Sequence, residues 1–240
     1  MVRSQALTVV SNAMLNKVIE MEISPDKTRV ISMGVDLKYH FIPDRMTKRS
    51  TKELLFVGRL VELKGLPTLL EALPEVLIRH PETQLTIAGS GPLKTKLKEL
   101  TQQLGLSGKV FFLGMIPQSQ LPAFYQRAAM AVFPFVITKR GSQEGFGLVV
   151  LEAMGCGCPV IAGNVPAVHD TVIHEKTGLL VASGDSGELA KSIIRMLDDP
   201  DLRLRLATNA RMCALKKFDW EIIANKYAKT YHQLTNKSMP

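Results

Sequence analysis

Two carboxylates, Glu144 and Glu152, bracket a glycine turn, Gly145-Phe146-Gly147, and the start of an apolar segment at Leu148. A glycine turn that opens a helix points unpaired N–H groups and the positive helix end at one place, where an anion sits well. Acids beside that anion can accept hydrogen bonds from hydroxyl groups. A phosphate flanked by polyols is the chemistry of a nucleotide sugar. Glu144 alone is also explained as an acid favoured by a helix N-terminus. Glu152 is not, because it is embedded between Val149 and Met154, where a carboxylate is costly unless paired or ligand-bound. Arg59 and Lys64, five residues apart, offer a planar fork and a point charge that would suit a diphosphate, or else form a solvated basic loop.

These residues need a scaffold. Short continuous apolar runs end in glycine, proline or alanine: Glu53–Gly58, Gln84–Gly89, Lys109–Gly114, Met130–Pro134, Pro159–Gly163 and Gly178–Ala182. Such runs predict strands buried on both faces. Segments of helical period separate them: Leu66–Arg79, Leu93–Leu104, Gln120–Arg127, Leu148–Met154 and Glu188–Leu197. The alternation predicts an α/β fold with a doubly wound, Rossmann-like parallel six-stranded sheet, and a ligand at the strands' carboxyl ends. Two helices, Leu202–Lys216 and Trp220–Leu234, are expected to follow, with Asp219 as cap and Trp220 anchoring the last by packing.

The chain begins differently. Leu7–Asn12 reads as a strand, with Ser11 or Asn12 capping a helix over Ala13–Met21, and Arg29–Met33 as a second strand. Residues 1–36 are therefore expected to be a remnant of a neighbouring domain, and 37–51, polar and basic, a linker. Residues 52–216 form the main domain, and 217–240 a helix expected to pack back toward the N-terminal one.

Composition sets bounds. The chain has 240 residues, 46% hydrophobic and 22% charged, which describes an ordinary globular protein. It has no apolar run of about 18 residues and no secretory pattern at its start, so a cytoplasmic location is expected, with peripheral contact at the inner membrane face left open. The net charge of +8 favours anionic partners. Nucleic acid is not expected, because basic runs are not interleaved with aromatics. Cys156, Cys158 and Cys213 lack metal spacing and read as small buried residues. His169 and His174 carry no metal-like spacing either. Lys139 and Arg140 read as a solvated loop that could also meet an anionic acceptor.

Several segments taken in order carry a resemblance: Val57–Gly65, Ile87–Pro92, Phe112–Pro117, Glu144–Pro159, Gly178–Val181 and, upstream, Val30–Phe41. Together they resemble the C-terminal half of a retaining glycosyltransferase of family 4, with the GT-B fold. The resemblance runs from about Leu7 to Leu234. It implies a nucleoside-diphosphate sugar (UDP-, GDP- or ADP-linked) as donor substrate. It also implies a glycan, lipid-linked or small-molecule acceptor, cell-envelope polysaccharide synthesis as a setting, and no metal or other cofactor.

The implied roles fall residue by residue. Arg59 and Lys64, beside Gly58, would hold the diphosphate, and Gly89 and Gly91 would lie near the nucleoside. Many relatives carry an acid where Ser90 stands. Met115 and Ile116 would read the base through their backbone. Glu144 would contact the donor sugar, the amides of Gly145, Phe146, Gly147 and Leu148 would meet sugar and phosphates, and Glu152 would bind the ribose. Glu144, Arg59 and Lys64 are the residues implied in catalysis. The acceptor site and the usual catalytic histidine belong to a GT-B domain largely missing before Leu7, so little or no transfer is expected from this chain alone. A non-catalytic binding or assembly module is the main alternative. A hydrolase or epimerase on the same fold is less favoured, because no general acid or base beyond Glu144 presents itself.

Overall fold

The computed structural model describes residues 4–44 and 46–236. The first three residues of the N-terminal piece and the last four of the C-terminal segment lie outside the described residues. A small unit comes first: β1 (Leu7–Val9), α1 (Asn12–Glu20) and β2 (Thr28–Val30), with the two strands paired in parallel. Ser11 caps α1, its hydroxyl accepting from the Met14 amide at 3.2 Å. No residue of α1 is buried.

The main sheet has six parallel strands: β3 (Glu53–Val57), β4 (Gln84–Ala88), β5 (Val110–Gly114), β6 (Met130–Phe133), β7 (Val160–Gly163) and β8 (Leu179–Val181). Their spatial order is β5-β4-β3-β6-β7-β8. The chain moves outward from β3 to one edge, then returns beside β3 and moves to the other edge. The order therefore reverses between β3 and β6, and a crevice opens there at the carboxyl ends.

The continuous apolar runs have a direct physical cause. Alternate residues of each inner strand enter two different cores. Leu55 and Val57 of β3, Ala131 and Phe133 of β6, and Val160 and Ala162 of β7 enter one. Leu54 and Phe56, Met130 and Val132, and Ile161 enter the other. Helices α4 (Leu121–Arg127), α5 (Leu148–Gly155) and α7 (Pro200–Phe218) close the first core. Helices α2 (Leu66–Arg79), α3 (Lys94–Gln103) and α6 (Ser186–Asp198) close the second. The edge strand β5 alternates instead: Val110 and Phe112 pack inward while Phe111 and Leu113 are exposed.

The stretch expected as a linker, of which Arg45 lies outside the described residues, is anchored at Leu37, Phe41 and Arg49. Leu37 and Phe41 are buried in the first core. The Arg49 guanidinium donates to the carbonyls of Tyr125 (2.8 Å), Ala128 (2.6 Å), Cys156 (3.3 Å) and Gly157 (3.0 Å). It thus satisfies the C-terminal ends of α4 and α5 together, where a cation also suits the helix dipoles.

Trp220 packs only in part: its indole lies against Gly34 but is 61% exposed, and α8 (Trp220–Asn236) is also fixed at its start by the buried Phe218 and Asp219. The Asp219 carboxylate accepts from the amides of Leu37 (3.3 Å) and Glu221 (3.2 Å), and Val35 pairs with Asp219 as an isolated parallel bridge. From residue 224 to residue 235, α8 has no buried residue.

Candidate functional site

The carboxyl ends of β3 and β4 approach closely. A Cβ at Gly89, whose φ is +153°, would lie 1.9 Å from the Gly58 carbonyl oxygen, so only glycine fits. This approach opens a cleft of about 210 Å³ lined by Gly58, Arg59, Gly89, Ser90, Met115 and Ile116, among others. Arg59 is exposed at its rim. Gly91 does not line it; a Cβ there would press on the Leu60 backbone at 2.6 Å, so its glycine serves close packing.

A second cleft, of about 310 Å³, is lined by Lys64, Glu144, Gly145, Phe146, Gly147 and Leu148, with Val10 and Met33 reaching in from the N-terminal unit. Lys64 ends a single helical turn, Glu62–Lys64, between β3 and α2. The Val136 amide bonds the Leu63 carbonyl at 3.0 Å, tying this turn to the segment after β6. Gly147, with φ +84°, is the left-handed cap that opens α5.

Within this cleft the Lys64 ammonium lies 2.5 Å from the Glu144 carboxylate and 5.0 Å from the centre of the Phe135 ring. Both charged side chains are mostly buried, at 16% and 14% exposure. The other Glu144 oxygen accepts from the amides of Gly145 (3.1 Å), Phe146 (3.4 Å) and Gly147 (3.1 Å). Three of the turn amides expected to meet a ligand are therefore held by the protein's own carboxylate. Burial raises the Glu144 carboxyl, but the Lys64 ammonium and the Phe146 and Gly147 amides outweigh it, leaving the group below the ordinary carboxylate range. The geometry is that of an anion site already filled by a carboxylate.

Glu152 lies about one turn along α5 and is only 8% exposed. The Tyr125 hydroxyl donates to it at 3.1 Å. Burial pushes the Glu152 carboxyl above the ordinary range; the Tyr125 hydrogen bond and the nearby His40 pull it back only in part. Glu152 lines neither cleft directly. Its helix borders the second cleft through Leu148 and Val149, and the helix of its partner Tyr125 begins at Leu121, which lines the first.

The remaining sequence candidates sit elsewhere. Lys139 and Arg140 are exposed at the tip of a turn closed by the Thr138 carbonyl and hydroxyl, just before Glu144. His174 accepts the Leu180 amide at 2.9 Å, and His169 contacts Asn164 at 2.5 Å. Cys156 and Cys158 are buried free thiols, and burial pushes the Cys158 thiol up to about 11. Among the described residues, no group of three or more His, Cys, Asp or Glu is arranged to hold a metal ion, and no helix is long and apolar enough to cross a membrane. A wider hollow, about 490 Å³, opens at the amino ends of β3 and β4 between Lys52 and Thr83. The binding crevice of a doubly wound sheet lies at the opposite edge.

Nothing local in the sequence marks Tyr125, Arg49 or Ser11 as site-related. The Ser11 hydroxyl donates to the Gly145 carbonyl at 2.9 Å, and Asn12 holds Asp170 through its backbone amide (2.8 Å) and side-chain amide (2.6 Å). The N-terminal unit thus touches the glycine turn directly.

Residues 42–212 match the family model for glycosyl transferases group 1. The chain is 33% identical over 239 residues to an uncharacterized glycosyltransferase of Methanocaldococcus jannaschii, covering 95% of this chain and 59% of that protein. It is 34% identical over 197 residues to a GDP-mannose-dependent alpha-(1-6)-phosphatidylinositol monomannoside mannosyltransferase of Mycolicibacterium smegmatis, covering 78% of this chain and 51% of that one. Among solved structures, sucrose-phosphate synthase from Thermosynechococcus elongatus superposes with a TM-score of 0.85 at 32% identity, over 98% of this chain and 60% of its own. The chain thus spans between about half and three-fifths of these proteins' lengths. The six-stranded parallel α/β fold matches the C-terminal domains of GT-B glycosyltransferases. Family match and fold agree, and the chain belongs to the glycosyl transferases group 1 family.

Proposed function

We propose that this chain is the donor-binding half of a retaining, family 4 type glycosyltransferase that takes a nucleoside-diphosphate sugar. The observation that carries the proposal is the Lys64–Glu144 pair at the turn amides, which follow β3 and β6 on either side of the topological switch point, beside the Gly58–Gly89 cleft. In this reading the base enters between Gly89 and Ile116, and Arg59 and Lys64 take the diphosphate. Glu144 exchanges its own amide contacts for sugar hydroxyls, and Glu152 meets the ribose. The mannosyltransferase relative names a GDP-linked donor, which supports a nucleotide sugar as the donor class.

Transfer develops positive charge on the sugar and negative charge on the departing phosphate. Lys64, Arg59 and the amides at the start of α5 stabilise the phosphate where that charge grows. The acceptor is a glycan, lipid-linked or small hydroxyl compound, approaching from the face where α1 meets the glycine turn. Residues 1–36 and α8 belong with the acceptor-side domain, 37–51 joins it to the donor domain at 52–216, and the 240-residue polypeptide alone transfers sugar well below about 1 s⁻¹.

A melting screen of the chain with UDP, GDP, ADP and their sugars tests the reading. One base family is expected to raise the melting temperature, since ligand at one hundred times its dissociation constant adds about 2.7 kcal/mol. No shift with any of them would support a non-catalytic assembly module instead.

A further inference from the structure

We propose that Tyr125 is a positioning residue for the donor's ribose: its hydroxyl holds one oxygen of Glu152 and so fixes the rotamer in which the other receives the ribose diol. The inference rests on the reading of Glu152 as the ribose acid.

Tyr125 is fully buried, at 0% exposure. At such a position phenylalanine would fill the same space, and a buried phenol is retained where its hydroxyl has a partner. The partner is Glu152, 3.1 Å away. The ring cannot swing aside to release it. Phe41 packs edge-on against it with centroids 6.3 Å apart, and Arg49 holds the Tyr125 carbonyl at 2.8 Å. Burial also keeps the phenol protonated, with its pKa well above the ordinary value, so it remains a donor.

A glutamate has three rotatable bonds, and freezing them on ligand binding costs affinity unless the protein has frozen them beforehand. Tyr125 does so from α4, a helix other than the one bearing Glu152. A carboxylate offers two oxygens and about four lone-pair sites, so one hydrogen bond to Tyr125 leaves capacity for a diol.

The test compares a ribonucleoside diphosphate with its 2′-deoxy and 3′-deoxy forms. UDP, GDP and ADP are tried, and the base giving the largest melting shift is used for calorimetry at neutral pH. Wild type should prefer the ribose form by about tenfold, the scale of one hydrogen bond to a charged group. Tyr125→Phe should cut that preference to about threefold or less while binding the deoxy forms within about twofold of wild type. A purely structural role for Tyr125 would weaken ribose and deoxy forms alike, and that result, or an undiminished preference, overturns the inference. Glu152→Gln separates the two levels. If Glu152→Gln loses the preference and Tyr125→Phe keeps it, only the positioning role fails. If wild type shows no preference, or Glu152→Gln keeps it, the ribose reading fails and the inference fails with it.

Discussion

Lys64 and Glu144, eighty positions apart in the chain, meet at 2.5 Å beside the amides that a ligand would use. Glu144 is therefore both a candidate sugar contact and a resident anion. In the proposed donor complex a diphosphate competes with it for Lys64 and for the amides of Gly145 and Gly147, which Glu144 holds here. Replacing the carboxylate by a neutral amide removes the competitor. Glu144→Gln is expected to bind the sugar-free nucleoside diphosphate about threefold tighter or more, and to lose the extra affinity contributed by the sugar. Calorimetry with the diphosphate and with its sugar conjugate checks both halves. Weaker binding of the bare diphosphate would show that the carboxylate is not a competitor.

The same pair makes stability depend on pH. The Glu144 carboxyl is held below its ordinary value of 4.5 in the folded chain. Just below that value the unfolded chain binds more protons, so the stabilisation is present above about 4.5 and is lost as pH falls through the folded value. Lys64→Met removes the counter-charge, and burial then raises the Glu144 carboxyl instead. The gap in unfolding free energy between wild type and Lys64→Met should be about 2 kcal/mol at neutral pH and shrink as the medium is acidified. Urea titrations across that range measure it; a gap independent of pH would contradict the assignment.

Glu152 predicts the opposite sign. Its carboxyl is raised by burial, so the folded chain holds that proton more tightly than the unfolded chain and loses stability as pH rises through the folded value. Glu152→Gln keeps an acceptor for the Tyr125 hydroxyl without the buried charge. It should melt higher than wild type at neutral pH by a few degrees, about 1 kcal/mol, while losing most of the nucleotide-induced shift. Differential scanning fluorimetry with and without nucleotide reads both effects.

Gly89→Ala should cost about 3 kcal/mol and abolish nucleotide binding, because its Cβ would meet the Gly58 carbonyl at 1.9 Å. Gly141→Ala is the control. It too has a positive φ, +74°, but open space around it, and should cost only about 1 kcal/mol with binding intact. Equal costs at the two sites would show that the strand ends do not constrain the cleft.

Arg49→Ala strips hydrogen bonds from four carbonyls at the ends of α4 and α5 and should destabilise by about 3 kcal/mol. Arg49→Lys should recover less than half, since a point charge cannot replace the planar fork. Chemical denaturation of the three proteins decides it.

What the sequence disclosed follows from physics of short range. The inner strands were legible because residues such as Leu54 and Leu55 enter opposite cores and leave an unbroken apolar run. A cap at Ser11 or Asn12 was legible because capping is local, and the fold selects Ser11. Long-range pairing was not. Arg49 lies in a polar, basic stretch that reads as a linker, and only the fold brings α4 and α5 to it. Trp220 reads as an anchor by residue type and does lie against Gly34, yet its neighbours Phe218 and Asp219 are the buried residues there. Glu144 and Glu152 stood out by spacing, but their partners Lys64 and Tyr125 come from other elements.

The central claim is that the Lys64 turn and the Gly58–Gly89 cleft form one nucleoside-diphosphate site. Calorimetric titration of wild type and Lys64→Ala with a nucleoside diphosphate and with the matching nucleoside tests it most directly. The expected result is that wild type binds the diphosphate at least about tenfold tighter than the nucleoside, and that Lys64→Ala loses most of this increment while binding the nucleoside unchanged. Equal affinity of the two proteins for the diphosphate would contradict the claim.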